Sequence, residues 1–139
     1  MWPLQFVSGF GLNLNVSLLS LTGWVVPLLV NQYSQLLADL PLQTPYEDGI
    51  GIHVYHQYTL LSDRRDDIQA ALQKADIACA VYYPVPLHQQ RVFLEDCVGI
   101  SLPVTEAVSS RCLSLPIFPE LNEEQVGKVV SVIRSTFNA

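Results

Sequence analysis

The stretch from Val81 to Gln90 combines hydrogen-bonding side chains with a rigid backbone. A strand-like segment ends there at Pro84 and Pro86, and His88 follows directly. Proline fixes φ and cannot continue a paired strand, so the exit from this segment is rigid. Loops fixed at strand ends often carry binding residues, and an imidazole there could donate a hydrogen bond to a phosphate or a hydroxyl group. His88 is therefore the first candidate for a binding residue.

No other motif marks a self-contained active site. The glycine-rich phosphate-binding patterns, the HExxH zinc pattern and the GxSxG hydrolase pattern do not occur in the sequence. His53 and His56 fall three residues apart in a predicted strand, so they would point to opposite faces and could not share a metal ion. Paired carboxylates for acid–base catalysis would have to be buried and face each other. Solvation and helix capping explain the carboxylates near predicted helix ends without any role in acid–base catalysis. These carboxylates are Asp63, Asp66, Asp67, Glu95 and Asp96.

Composition and charge narrow the function classes further. The chain has 139 residues, half of them hydrophobic, which suffices for one domain with one hydrophobic core. The formal net charge is −6 and the seven cationic residues are scattered, which argues against a nucleic-acid-binding surface. Cys79, Cys97 and Cys112 form no CxxC pair. We interpret them as small buried hydrophobes in a reducing cytosol, not as disulfides or zinc ligands, and expect a cytoplasmic protein.

The N-terminal stretch needs a separate interpretation, because residues 1–38 contain no Asp, Glu, Lys or Arg. A signal peptide would need a cationic start, which is absent. Membrane association through residues 16–30 is an alternative, although Gly23 and Pro27 interrupt this stretch and no cation flanks it. We favour a helix that packs against another part, or an N-terminus in a different reading frame. Residues 1–27 are thus a segment of uncertain structure, and residues 28–139 form the domain.

Hydrophobic periodicity predicts the elements that position the candidate residues. A helix is expected from Leu28 to Leu40, and a strand from Ile52 to Leu61, where β-branched and aromatic residues are frequent. A second helix around Ile68 is expected to be capped by Asp63 or a neighbour. The run from Ala78 to Tyr83 is the second predicted strand. These elements form a β-α-β unit.

The C-terminal third adds two helices and a short extended segment. The first helix should begin near Val104, because Val104, Val108 and Cys112 share one face. Residues 113–118 are extended. Asn122 is predicted to cap the last helix, with Gln125 completing a capping box. The fold class is therefore α/β, a small α+β domain with a sheet of about three strands and helices on one face.

Several motifs occur along the chain in the same order as in a known domain. They are the strand with His56, the helix of residues 65–75, Tyr82–Gln90, Leu102–Glu106, Leu113–Pro116 and Pro119–Leu121. Together they resemble the small C-terminal domain of a sugar-nucleotide aminotransferase of the DegT/DnrJ/StrS type. The resemblance covers residues 28–137 and implies the small-domain fold of a fold-type I aminotransferase.

The resemblance also implies a chemistry and a site. Members of this family are dimers that use pyridoxal phosphate to transfer an amino group to a keto-sugar attached to a nucleoside diphosphate. By this resemblance, Tyr83, Pro84, His88 and Gln90 would lie on the substrate side of the active-site cleft. The cofactor lysine and the other cofactor contacts lie in the family's large N-terminal domain. The resemblance therefore assigns this chain no catalytic, cofactor-binding or metal-binding residue.

Three features depart from the family pattern. The family usually opens this domain with an asparagine–arginine motif and a helix, whereas Gly9–Leu21 keeps Gly11, Leu12 and Asn13 but lacks the arginine and the helix. Asp76 stands where relatives often have a glycine, although aspartate tolerates a left-handed conformation less well. The only lysines, Lys74 and Lys128, lie on predicted amphipathic helices and not in a buried pocket, as a cofactor lysine would.

Three alternative functions follow from these expectations. The chain could be the C-terminal part of such an aminotransferase, inactive alone because the cofactor lysine is missing. It could instead be a non-catalytic partner or binding module that forms a homodimer or complements a lysine-bearing chain. A small domain anchored to a membrane through residues 16–30 is the third alternative.

Overall fold

The computed structural model describes residues 16–51 and 53–138, which form four α-helices and two short β-strands. In chain order these are α1 (Val16–Leu37), β1 (Tyr58–Leu61), α2 (Arg65–Lys74), α3 (Pro103–Arg111), β2 (Cys112–Leu115) and α4 (Glu123–Phe137). A 3₁₀ turn, Leu87–Gln89, lies between α2 and α3. The predicted mixture of helices and sheet is confirmed.

The sheet is antiparallel and smaller than the sequence predicts. Strands β1 and β2 pair with Thr59 opposite Ser114, and the hydroxyl oxygens of these two residues lie 2.8 Å apart. Single bridges extend the sheet at both edges, Gln43 to Leu61 on one side and Ala80 to Ser114 on the other. The predicted strand Ala78–Tyr83 thus contributes one bridge, and the described residues contain two strands, not three.

The first predicted strand is also shorter than expected. Only Tyr58–Leu61 pairs, and His53 and His56 lie in the irregular segment before it. Tyr55 has a left-handed φ of 47°, its N–H donates to His53 Nδ1, and its hydroxyl donates to Glu47. These local bonds replace the ladder bonds of a strand, as side chain-to-backbone bonds commonly do. The sequence prediction of a strand from Ile52 is therefore wrong for residues 53–57.

One hydrophobic core joins the sheet to three of the helices. Most of its buried side chains come from α1, β1, α2, β2 and α4, and the largest fully buried ones include Tyr33, Tyr58, Leu72 and Ile133. Helix α3 contributes no apolar side chain to this core, since its one buried residue is Ser109. The apolar side chains Val104 and Val108 of α3 therefore remain exposed outside the core.

Helix α1 begins earlier than predicted and runs through Pro27. A proline inside a helix removes one backbone hydrogen bond and costs about 3 kcal/mol. Val25 and Val26 pack against the core beside it, which offsets that cost. The domain boundary expected at residue 28 falls within this helix, and residues 1–15 lie outside the described part of the chain. Among residues 16–51 and 53–138, no helix is both long enough and apolar enough to cross a membrane.

The predicted side-chain cap is absent at α2 and present at α4. No side chain caps α2: Asp63 pairs with Arg111 instead, which corrects the prediction. At α4 the predicted capping box is confirmed, because Asn122 Oδ1 accepts from the Gln125 N–H at 2.9 Å and Gln125 Oε1 accepts from the Asn122 N–H at 3.0 Å. The buried stripe of α4 then packs against α1 and α2.

Candidate functional site

A surface cavity of about 370 Å³ lies between two segments of the chain. One wall comes from residues 82–90, which leave the edge of the sheet, and the other comes from α3 and the start of β2. The lining residues are Tyr82, Tyr83, Val85, Pro86, Leu87, Gln90, Val104, Thr105, Val108, Ser109 and Cys112. Val104 and Val108, which the sequence placed on one helix face with Cys112, thus line the cavity and stay outside the core. Cys112 also lines the cavity, but it is the first residue of β2 and is buried.

Hydrogen bonds from α3 and β2 hold the backbone of the tyrosine wall. The Ser109 hydroxyl donates to the Tyr83 carbonyl at 2.6 Å, and the Cys112 thiol lies 3.8 Å from the Tyr82 carbonyl. The peptide bond between the two tyrosines is cis. Their carbonyls are bound from one side, and both side chains remain exposed at the cavity.

A second contact joins the two walls at the opposite end of residues 82–90. His88 Nε2 lies 2.9 Å from Glu106 Oε1, in the first turns of α3. The same carboxylate oxygen accepts from the Leu102 N–H at 3.0 Å, at the N-terminus of the helix. The hydrogen bonds from Leu102 and His88 hold the pKa of Glu106 below its usual range. Glu106 is therefore a carboxylate at neutral pH.

The structure places the four predicted binding residues at different depths. Tyr83 and Gln90 line the cavity, and Gln90 Nε2 donates a long bond to the Val85 carbonyl at 3.4 Å. Pro84 is exposed between them. The His88 side chain is only 7% exposed and lies behind the lining. Two of the four are thus brought together at the surface of the cavity.

Sequence reasoning missed the residues that α3 contributes to the site. Glu106 was part of the motif that carries the resemblance, but no role followed from it. Ser109 gave no signal at all, because a serine in a helix is ordinary. The only available signal was the shared face of Val104 and Val108, which core packing would explain equally well.

All the residues that line the cavity are uncharged. Its polar groups are the two phenols, the Gln90 amide, and the hydroxyls of Thr105 and Ser109. Such groups can bind hydroxyls or amides of a ligand, and the aromatic rings can stack on a flat or apolar surface. A phosphate would find no cation in this lining to neutralise it.

The described residues outside the cavity offer little further chemistry. His53 and His56, wrongly predicted to lie on a strand, are exposed, and no group of three or more His, Cys, Asp or Glu within residues 16–51 and 53–138 could hold a metal ion. All three cysteines are free thiols, of which Cys112 is buried and the other two are half-buried. Burial raises the pKa of Cys79, which lowers the fraction of reactive thiolate.

Residues 28–134 match the DegT/DnrJ/EryC1/StrS aminotransferase family. The chain is 42% identical over 106 residues to a UDP-N-acetyl-3-dehydro-α-D-glucosamine 3-aminotransferase of Acidithiobacillus ferrooxidans. The aligned residues make up 76% of this chain and 28% of that protein. It is 47% identical over 93 residues to a pleiotropic regulatory protein of Geobacillus stearothermophilus, covering 65% of this chain and 24% of that protein.

A solved structure shows the same fold. A DegT/DnrJ/EryC1/StrS aminotransferase from Brucella abortus superposes with a TM-score of 0.76 at 31% identity, over 86% of this chain and 32% of that one. The chain therefore spans about a quarter to a third of the length of the proteins it matches. The matched residues include both walls of the cavity. The chain belongs to the DegT/DnrJ/EryC1/StrS aminotransferase family.

Proposed function

We propose that this domain forms the substrate-side wall of the active site of a pyridoxal phosphate-dependent aminotransferase that acts on a nucleotide-linked keto-sugar. One observation supports this most strongly: the cavity lies between Tyr82–Gln90 and the helix that follows Leu102, two of the segments that carry the family resemblance. Tyr83 and Gln90 would contact the substrate directly. Pro84 would fix the path of the chain, and His88 stays a predicted member of the same site.

The uncharged lining narrows which part of such a substrate the cavity receives. A diphosphate needs cations or backbone N–H groups at its oxygens, and no cation lines this cavity. The phenols, the Gln90 amide and the Thr105 hydroxyl instead suit a sugar ring or a base. We therefore assign the uncharged portion of the nucleotide sugar to this cavity, with the phosphates held by another part of the enzyme.

The residues described here do not by themselves fit the cofactor. Pyridoxal phosphate needs a lysine in a pocket that favours its neutral amine. Lys74 and Lys128 are exposed on α2 and α4, and neither lines the cavity. Amino transfer therefore needs a lysine-bearing part in addition to this domain, and the chain as it stands should be inactive.

Exposed apolar side chains support the presence of such a part. Several large apolar residues between Tyr82 and Val108 are exposed, among them Leu87 at 68%, Val98 at 80% and Val104 at 76%. Clustered exposure of this kind is typical of a surface that another protein part covers. The same observation favours the second candidate function, a module that complements a lysine-bearing chain or forms a homodimer.

A chimeric enzyme tests the proposed function. The C-terminal part of the Acidithiobacillus ferrooxidans relative is replaced by residues 28–134 of this chain, and amino transfer to the keto-sugar in that relative's name is measured. In this chimera Tyr83→Ala and Gln90→Ala should each lower kcat/KM by about tenfold or more, which corresponds to about 1.4 kcal/mol of transition-state stabilisation.

The matched control is Tyr46→Ala, because Tyr46 is 88% exposed and does not line the cavity. This control should keep kcat/KM within about twofold. If the chimera turns over and neither cavity substitution changes kcat/KM, the cavity is not a substrate site.

A further inference from the structure

His88 and Glu106 link the two walls of the cavity at one end, while the contacts of Ser109 with Tyr83 and of Cys112 with Tyr82 link them at the other. The 3₁₀ turn that carries His88 begins with the lining residue Leu87 and is followed by the lining residue Gln90, and Glu106 follows Thr105 on the opposite wall. The Nε2–Oε1 distance is 2.9 Å, and the His88 side chain is 7% exposed. Any movement of one wall relative to the other must therefore stretch or break this bond.

The environment of the ring selects one tautomer of His88. Glu106 is held as a carboxylate, which only accepts hydrogen bonds, so Nε2 must carry the hydrogen that the bond needs. The opposite neutral tautomer would direct the Nε2 lone pair at the carboxylate, which is repulsive. Nδ1 is buried and has no hydrogen-bond partner among the described residues. A hydrogen on Nδ1 would thus be a buried donor without an acceptor, which is unfavourable.

Both ring nitrogens are consequently withheld from a ligand in this conformation. Nε2 is bonded to Glu106, and Nδ1 is buried. A group that cannot be reached by a ligand acts on the site through what it holds in place. His88 can hold two parts of the structure in place, the 3₁₀ turn that contains it and the first turns of α3.

We propose that Glu106 is a positioning residue that fixes His88 as its Nε2–H tautomer and thereby sets the spacing between the tyrosine–glutamine wall and α3. Glu106 also accepts the Leu102 N–H at 3.0 Å, so the same oxygen fixes the start of α3 and the ring of His88. This inference rests on the proposed function only for the nature of the ligand. The link itself is a property of the free chain.

Imidazole nitrogen NMR of the free chain at pH 8 tests the tautomer. The chain has three histidines, so the His88 signals are assigned by comparison with His88→Asn. We expect one Nε2–H tautomer in the unchanged chain and in Glu106→Gln, whose amide oxygen still accepts both bonds. Glu106→Ala should give an exchanging mixture, and the matched control Glu120→Ala should not. An Nδ1–H tautomer, or an unchanged single tautomer in Glu106→Ala, would overturn the proposal.

A second measurement reports the spacing of the walls. Cys112 lines the cavity but is only 2% exposed, so its labelling by a thiol reagent reports local opening. In a Cys79→Ser, Cys97→Ser background, Glu106→Ala should raise the labelling rate about fivefold or more, while Glu106→Gln and Glu120→Ala stay within about twofold. Equal rates in Glu106→Ala and the parent would show that the link does not set the spacing. Neither readout uses substrate, so failure here leaves the chimera result independent.

Discussion

Asp76 has a backbone conformation that most side chains avoid. Its φ is 56°, in the left-handed region, and its N–H donates to the Gln73 carbonyl directly after the end of α2. A left-handed residue at this position ends many helices, and it is usually glycine because a Cβ is unfavourable there. The observed φ therefore agrees with the expectation from the family resemblance that a glycine suits this position.

Replacing Asp76 with glycine should stabilise the domain. Asp76→Gly removes the Cβ strain of the left-handed conformation, which is about 1–2 kcal/mol for most residues and smaller for aspartate. Glycine loses more backbone entropy on folding, so we expect a net gain of about 0.5 kcal/mol in the free energy of unfolding by urea.

Asp67→Gly is the matched control for Asp76→Gly. Asp67 lies inside α2 and pairs with Arg64, so its replacement should destabilise the domain by about 0.5–1 kcal/mol. A loss of stability in both variants would contradict the interpretation of Asp76.

Two helices that are distant in sequence are joined at their ends by one arginine. Arg134 of α4 donates to both oxygens of Asp39, at 2.7 and 2.6 Å, and to the Leu36 carbonyl at 2.7 Å. The carbonyl belongs to the last turn of α1, where backbone acceptors lack intrahelical partners. A bidentate pair of this geometry contributes more than a single exposed ion pair.

The contribution of this pair should depend on pH. Hydrogen bonds from Arg134 lower the pKa of Asp39, and a carboxyl group whose pKa falls on folding stabilises the protein above its unfolded pKa, near 3.9. This stabilisation is lost as the pH falls through the lower pKa of the folded state. Asp39→Asn should therefore reduce the free energy of urea unfolding at pH 7, and the difference from the unchanged chain should shrink at pH 2.5.

The exposed residue Asp96, which forms no ion pair with any residue that the structure describes, provides the control. Asp96→Asn should match the unchanged chain at pH 7. A difference for Asp39→Asn that stayed constant between pH 7 and pH 2.5 would show that its charge is not responsible.

At the scale of the whole molecule, the core and the cavity occupy separate places. The core joins α1, α2, α4 and the sheet, while α3 directs its apolar face into the cavity beside the tyrosines. The two lysines lie on α2 and α4, helices whose buried faces pack in the core. Neither is therefore placed to hold a cofactor at the cavity.

Mixing the purified chain with pyridoxal phosphate tests this arrangement. After borohydride reduction and peptide mapping, Lys74 and Lys128 should carry low, unsaturable labelling, because exposed lysines have no pocket that favours the aldehyde adduct. Lys74→Arg and Lys128→Arg should each remove only the labelling of the replaced residue. A stoichiometric adduct at one lysine would contradict the proposal that the cofactor lysine lies elsewhere.

Local rules predicted the parts of the fold that depend on neighbouring residues. The capping box of Asn122 and Gln125 and the buried stripe of α4 follow from side-chain spacing along one helix. The strand predicted from Ile52 failed because a strand needs a partner, and Tyr55 bonds locally with Glu47 and His53 instead. The predicted cap Asp63 was lost to an ion pair with Arg111, a residue distant in sequence.

The candidate site also combines features that depend on neighbouring residues with features that depend on distant ones. The sequence alone determined the family and the rigid segment Tyr82–Gln90, because these follow from residue types and their order. The family resemblance also pointed to Tyr83 and Gln90, which line the cavity. Only the tertiary structure decided that His88 is buried beside Glu106 and that α3 forms the second wall. The reason is physical: a hydrogen bond between residues 18 positions apart depends on how the chain returns, and local sequence does not specify that path.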